Sequence, residues 1–144
     1  MPFIQTEMIR LNQSFNTSAE AIDAAGEVLE AAGCVSSAYV KAMHERQALS
    51  SVYIGNQVAI PHGTEEAKSA VQKTGISILQ VPAGVDFGGQ TAKLVIGIAG
   101  VDDEHLELLS QIAVICSDED NVERLVQAKT KEEILSLFME EVAS

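Results

Sequence analysis

The sequence predicts an α/β fold: a single-domain sandwich with a mixed central β-sheet flanked by helices on both sides. Three observations carry this. Two runs rich in β-branched residues, Gly75 to Val81 and Lys93 to Ala99, sit in the middle of the chain. Helical patterns come before and after them, so helices and strands must pack in layers. The chain has 144 residues, of which 47% are hydrophobic, enough for one domain (1–144) with its own core.

The elements follow in order. Met8-Ile9-Arg10-Leu11 is a candidate short strand. Thr17-Ser18-Ala19-Glu20 reads as a capping box opening a helix. Ile22, Ala25, Val28, Leu29 and Ala32 form that helix's apolar stripe, and Gly33 is its C′ stop. A second helix runs from about Ser37 to Leu49 with Val40 and Met43 inward, His44 and Arg46 lying near its end. The pattern breaks over Ser50 to Gly55. Val58-Ala59-Ile60 is a short strand that feeds a Pro61-His62-Gly63 turn, and Glu65 to Gln72 has the makings of one or two helical turns.

The two central strands come next, linked by a segment that Pro82-Ala83-Gly84 and Gly88-Gly89-Gln90 punctuate. Val85-Asp86-Phe87 is a small strand inside the link. The run Lys93 to Ala99 is nearly all apolar, as a strand buried on both faces must be. Gly100-Val101-Asp102-Asp103 leads into a helix that Asp102 or Asp103 can cap. On it His105, Leu109, Ile112 and Cys116 share a face. A further helix begins near Asp118 to Asn121 and carries Val122, Leu125 and Val126. A last one opens at the capping box Thr130 to Glu133 and carries Ile134, Leu137, Phe138 and Val142.

Composition narrows the function. The net charge of −12 argues against nucleic acid and anionic membrane surfaces as partners. It suits a basic-faced protein partner. No apolar run reaches the length of a membrane span. Met1 to Leu11 lacks a basic segment followed by an apolar one, so the expectation is no signal peptide and a cytoplasmic protein. The two cysteines, Cys34 and Cys116, are far apart among apolar neighbours and read as small core residues.

The stretch that carries chemistry is Gln57 to Thr64. Pro61 fixes its own φ and holds Ile60 extended. Gly63, with no side chain, leaves room for another molecule beside His62. His105 lies in the first turn of a helix that follows a strand, where free N–H groups and positive potential suit an anion. That potential favours a neutral imidazole, able to donate a hydrogen bond. Three chemistries compete at these histidines. Zinc binding would need further ligands, and no H-E-x-x-H or Cys/His spacing is present. A general base for a serine would need a nucleophile elbow, and no G-x-S-x-G occurs. His62 as a nucleophile carrying a phosphoryl group needs few parts. With no Walker-A loop or kinase motifs, that group would come from another protein rather than from ATP.

Tyr53-Ile54-Gly55-Asn56 followed by Val58-Ala59-Ile60-Pro61-His62-Gly63-Thr64 resembles the phosphorylation-site motif of the enzyme IIA components of the bacterial sugar phosphotransferase system, mannitol/fructose class. Glu66-Ala67-Lys68, Lys73 to Ile76, Gly84 to Gly88, Leu94 to Ala99 and Glu104-His105-Leu106 continue the likeness. It spans essentially the whole chain and is most similar to the mannitol type. The resemblance implies that His62 takes a phosphoryl group from the carrier protein HPr and passes it to a cysteine of enzyme IIB, part of a mannitol-type IIB/IIC permease. It implies that His105 is the second active-site histidine and that Arg46 offsets phosphoryl charge. Where Asn56 stands, some members have a carboxylate. The family fold is a mixed sheet flanked by helices. No metal or cofactor is expected. One ring nitrogen of His62 should point outward while a hydrogen bond holds the other, with Arg46, His105 and the backbone N–H groups of Gly63 and Thr64 meeting the phosphoryl oxygens. The alternatives are a fructose-type or other-hexitol subunit, or a regulatory module of the same fold switched by phosphorylation.

Overall fold

The computed structural model describes residues 4–143, with side-chain surroundings described to Glu140. A five-stranded sheet has the order β1-β4-β5-β3-β2. Its strands are β1 (Ile9–Arg10), β2 (Tyr53–Gly55), β3 (Val58–Ala59), β4 (Gly75–Phe87) and β5 (Gln90–Ala99). β1 runs parallel to β4 and β3 parallel to β5, while the β4–β5 and β2–β3 pairs are antiparallel. The mixed sheet expected from the sequence is therefore present.

Alternation along the central strands divides the core. Leu94, Ile96 and Ile98 of β5, with Ile76 and Ile78 of β4, are buried with Leu108, Ile112, Leu125, Leu137 and Phe138. Those residues belong to α3 (Glu104–Cys116), α4 (Glu119–Gln127) and α5 (Lys131–Ala143). Val95 and Ala99 of β5, with Leu79 and Val81 of β4, pack on the other face against Ile22, Ala25, Leu29 and Met43. These lie on α1 (Ser18–Ala31) and α2 (Ser37–Leu49). Period-two side chains thus feed two helical layers from one sheet. Cys34 and Cys116 are buried among them. Val142, placed on the last apolar stripe by its spacing, lies outside the described side chains.

Helix ends follow local chemistry. The Thr17 hydroxyl accepts from Glu20 N–H, but the Glu20 carboxylate accepts from Asn16 N–H, one residue ahead of the usual capping-box partner. The box at α5 does the same: Thr130 accepts from Glu133 N–H, and Glu133 accepts from Lys129 N–H. At the far end of α1, Gly33 N–H reaches Glu30 and Cys34 N–H reaches Leu29, the paired bonds of a Schellman stop.

Three expectations are corrected. Pro82-Ala83-Gly84 does not interrupt β4, which continues to Phe87 with an irregularity between Gln80 and Val85. Pro82 has no N–H to lose and Gly84 sits at φ +83°, so the segment bulges out of the ladder and rejoins it. Tyr53–Gly55, expected only as a break, is a strand that turns through Asn56 and Gln57, both at positive φ, onto β3. Asp103 occupies the N-cap position of α3 without a side-chain cap bond. Thr74 does the anchoring there: its hydroxyl donates to the Glu104 carboxylate at 2.6 Å and accepts from Val101 N–H at 3.0 Å.

Candidate active site

His62 and His105 meet. Their ring centroids are 5.4 Å apart and the planes are tilted by 54°. The topology explains the meeting. Beyond β3 the chain runs on through Ile60 and Pro61 to His62, which pairs in parallel with Ile98 near the end of β5. β5 then leaves the sheet at Gly100, and α3 begins at Glu104. The two histidines therefore meet at the carboxyl ends of the parallel strands β3 and β5, where α/β folds place their ligands. Gly100 makes the approach possible: a Cβ there would lie 2.3 Å from His105 Cα.

The two rings line a cleft of about 410 Å³ together with Arg46, Thr64, Lys68 and Leu106. His62 is held. Its Nδ1 lies 2.8 Å from the Ile60 carbonyl oxygen. A carbonyl only accepts, so Nδ1 carries the proton and donates. In the neutral ring Nε2 then holds the free lone pair. Burial pushes the His62 pKa below its usual 6.5, the Ile60 bond pulls it back, and the nearby charges of His105 and Arg46 push it down again. Burial also lowers the His105 pKa, with Glu65 opposing and Lys68 reinforcing that shift. Both rings are biased toward the neutral form at neutral pH.

Arg46 lies in the last turn of α2 and lines the cleft. Its Nη1 donates to the Ser50 carbonyl and hydroxyl oxygens, each at 3.0 Å. Those bonds tie it to the exposed end of its own helix while the cation faces the cleft. Lys68 sits on a 3-10 turn (Glu65–Ala70) and pairs with Glu65 at 2.8 Å. The acidic chain thus gathers two cations and two polarisable rings at one mouth, with Asp102 and Asp103 at its rim. Among the described residues no group of three His, Cys, Asp or Glu side chains is arranged to hold a metal ion.

Two expectations about this site change. The space beside Gly63 is not open: a Cβ there would come within 2.5 Å of the Tyr39 ring. The Gly63 N–H is not free for a ligand either, since it donates to the Tyr39 hydroxyl at 2.9 Å. Thr64 N–H makes no hydrogen bond with the described residues and remains the backbone donor of this turn. Asn56 is away from the cleft. Its Nδ2 donates to the Cys116 and Ser117 carbonyls at 3.0 and 3.1 Å, closing the far end of α3. His44, near the end of α2, is partly exposed and pairs with Asp23 at 2.6 Å. Tyr39 and Lys68 are the cleft residues that pattern reasoning does not single out. A lone tyrosine on a helix carries no local signal of its partners.

Sequence and fold comparisons agree with the geometry. Residues 2–141 match the family model for "Phosphoenolpyruvate-dependent sugar phosphotransferase system, EIIA 2". The chain is 51% identical over 141 residues to the mannitol-specific phosphotransferase enzyme IIA component of Bacillus subtilis, covering 97% of this chain and 99% of that protein. It is 58% identical over 130 residues to the protein of the same description from Enterococcus faecalis, covering 88% and 90%. Its fold superposes with a TM-score of 0.90 on enzyme IIA in a complex of enzyme IIAMTL and phosphorylated enzyme IIBMTL from Escherichia coli, at 39% identity over 95% of this chain and 97% of that one. Among the described residues no helix is long and apolar enough to cross a membrane. With a histidine pair at the strand ends of a mixed sheet and a family match over residues 2–141, the chain belongs to the EIIA 2 family of the phosphoenolpyruvate-dependent sugar phosphotransferase system.

Proposed function

We propose that this chain is the phosphocarrier subunit of a mannitol-type phosphotransferase system, with His62 as its phosphoryl acceptor. One observation carries the site assignment: the Ile60 carbonyl holds Nδ1–H, so a neutral His62 offers Nε2 as the nucleophile. The phosphorus–nitrogen bond of a phosphohistidine on the donor, HPr, breaks as a bond to Nε2 forms. The donor ring recovers its lone pair, and no proton need move on His62. Positive charge that develops on the His62 ring is met by the Ile60 carbonyl through the same hydrogen bond. The transition state is loose and its charge sits on three equatorial oxygens. Arg46, a neutral His105 and the Thr64 N–H are the groups disposed to meet that charge.

In the second half-reaction the bond to Nε2 breaks and a thiolate of enzyme IIB takes the phosphoryl group. The E. coli relative seen with phosphorylated enzyme IIB supports that acceptor. An intermediate must not be held too tightly, because ground-state stabilisation slows onward transfer. Here burial disfavours the charged ring, and the cleft is open enough for two successive partners. Its exposed Leu106 supplies apolar contact beside the chemistry.

The test is a reconstituted relay. Phosphoenolpyruvate, enzyme I and HPr should place one acid-labile phosphate on the protein, and a mannitol-type enzyme IIB should remove it. His62→Ala should take up none. Uptake by His62→Ala would move the site elsewhere. Transfer to a fructose-type enzyme IIB in preference to the mannitol-type protein would move the assignment within the family. Uptake with no transfer to any enzyme IIB would favour a regulatory module.

A further inference from the structure

Tyr39 is buried, 2% exposed, and its hydroxyl makes two hydrogen bonds. It donates to the Ile98 carbonyl at 2.7 Å and accepts from Gly63 N–H at 2.9 Å. Gly63 follows His62 directly in the chain, and Ile98 lies on β5 beside it. His62 is registered in parallel with Ile98, and Ile98 N–H already donates to the Pro61 carbonyl at 2.9 Å. In an ordinary parallel ladder the next bond would run from Gly63 N–H to the Ile98 carbonyl. The Tyr39 hydroxyl stands between those two groups and relays the bond, since one hydroxyl both accepts and donates. Tyr39 therefore ties the backbone directly after His62 to the end of β5. The Tyr39 ring lies against Gly63 so closely that no side chain fits at that residue.

We propose that Tyr39 is a positioning residue for phosphoryl transfer: its hydroxyl, wedged between Gly63 N–H and the Ile98 carbonyl, fixes the chain at the end of β5 directly after His62 and so sets how the imidazole faces His105. The wedge acts at the one place where the segment must stop being a strand. Before it, the Pro61–Ile98 bond fixes the strand end. After it, Thr64 turns outward into the 3-10 turn that carries Lys68. Tyr39 touches neither phosphoryl group nor partner; it acts through Gly63. This inference rests on the reading of His62 as acceptor.

The test compares wild type, Tyr39→Phe and Ser77→Ala in phosphorylation by HPr. Ser77 is the control because it too is a buried hydroxyl bonded to a carbonyl, that of Ala25, but lies away from the cleft. Removing the Tyr39 hydroxyl lets Gly63 close onto Ile98 or leaves both groups unpaired. Either displaces His62, and kcat should fall about tenfold to a hundredfold, the scale of a small misplacement. KM for HPr should stay within about twofold, because the docking surface is intact. The His62 ring resonances should shift in Tyr39→Phe and not in Ser77→Ala. Unchanged kcat and unchanged His62 resonances in Tyr39→Phe would overturn the wedge, as would an equal kcat loss in Ser77→Ala. Should Tyr39→Phe fail to fold, the native protein still decides. A slowly exchanging Tyr39 hydroxyl proton with a cross-peak to the Gly63 amide supports the wedge, and a freely exchanging Gly63 amide overturns it. A wild type that takes no phosphate defeats the acceptor reading itself. A phosphorylated wild type with an indifferent Tyr39→Phe defeats the wedge alone.

Discussion

The two walls of the cleft carry the same side chain and hold it in opposite ways. On the β3 wall, His62 is fixed by backbone: Nδ1 to Ile60, the flanking Pro61 carbonyl to Ile98 N–H, and Gly63 to Tyr39. On the α3 wall, the backbone is anchored through Thr74 and packed against Gly100, while the His105 ring makes no hydrogen bond with the described residues. The difference matches two tasks. A nucleophile needs one tautomer and one direction of attack, and so benefits from a rigid mount. A group that meets a phosphoryl oxygen arriving from one protein and leaving for another benefits from a ring that can turn.

The largest test of that contrast is His105→Ala set beside His62→Ala. Loss of the nucleophile abolishes uptake, whereas loss of one donor to the equatorial oxygens should slow uptake on the order of a hundredfold and leave it measurable. Single-turnover transfer from phospho-HPr reads both. An unchanged rate in His105→Ala would remove His105 from the chemistry and leave Arg46 and Thr64 to meet the charge.

A smaller effect, set by pH, separates the walls by cause. The His62 pKa is lowered from 6.5 chiefly by burial. Its lone pair therefore stays available as pH falls through 6.5, and acceptance should decline only below that point. The linked stability has the same sign. The unfolded ring protonates first, so stability is undiminished above 6.5 and declines as pH falls from 6.5 through the folded pKa. His105 is also lowered, but Glu65 opposes the shift. NMR titration of the wild type should place both rings below 6.5, with His62 rising toward the usual value in His105→Ala as its neighbour and part of its cover are removed. A His62 titration above 6.5 in the wild type would contradict the desolvated, neutral nucleophile.

How much of this was legible depends on the range over which each residue acts. Helix stripes, the Gly33 stop and the apolar β5 are local patterns, and the structure follows them. The pairing of His62 with His105 was legible only as two equivalent placements, a strand end and a helix start. The topology that joins them runs through β5. Tyr39 was not legible, because its partners are a carbonyl on β5 and an amide beyond β3. The fate of Pro82-Ala83-Gly84 was not either. A turn signal becomes a bulge when the neighbouring strand continues past it, and pairing resumes at Val85 with Ala92. Thr74 replaced Asp103 as the anchor of α3 for the same reason: the stronger partner came from a distant loop.

The smallest effect belongs to Asn56, and it tests whether the walls are tied together away from the cleft. Asn56 lies on the turn that leads into β3, and its amide closes the C-terminus of α3. One side chain thus links the segment before His62 to the helix whose first turn carries His105. It also sits at φ 51°, a left-handed conformation that asparagine tolerates better than alanine. Asn56→Ala should lower stability by about 1 kcal/mol, from lost partly exposed hydrogen bonds and backbone strain. Transfer from HPr should be nearly unchanged. Each wall is mounted by bonds at its own end of the cleft, so easing the far tie should not move either ring. Denaturant unfolding and single-turnover transfer on the same sample separate the outcomes. A rate loss comparable to that of His105→Ala, at this small cost in stability, would mean that α3 is positioned from its far end, and the rigid and adjustable walls would then be one mechanical unit.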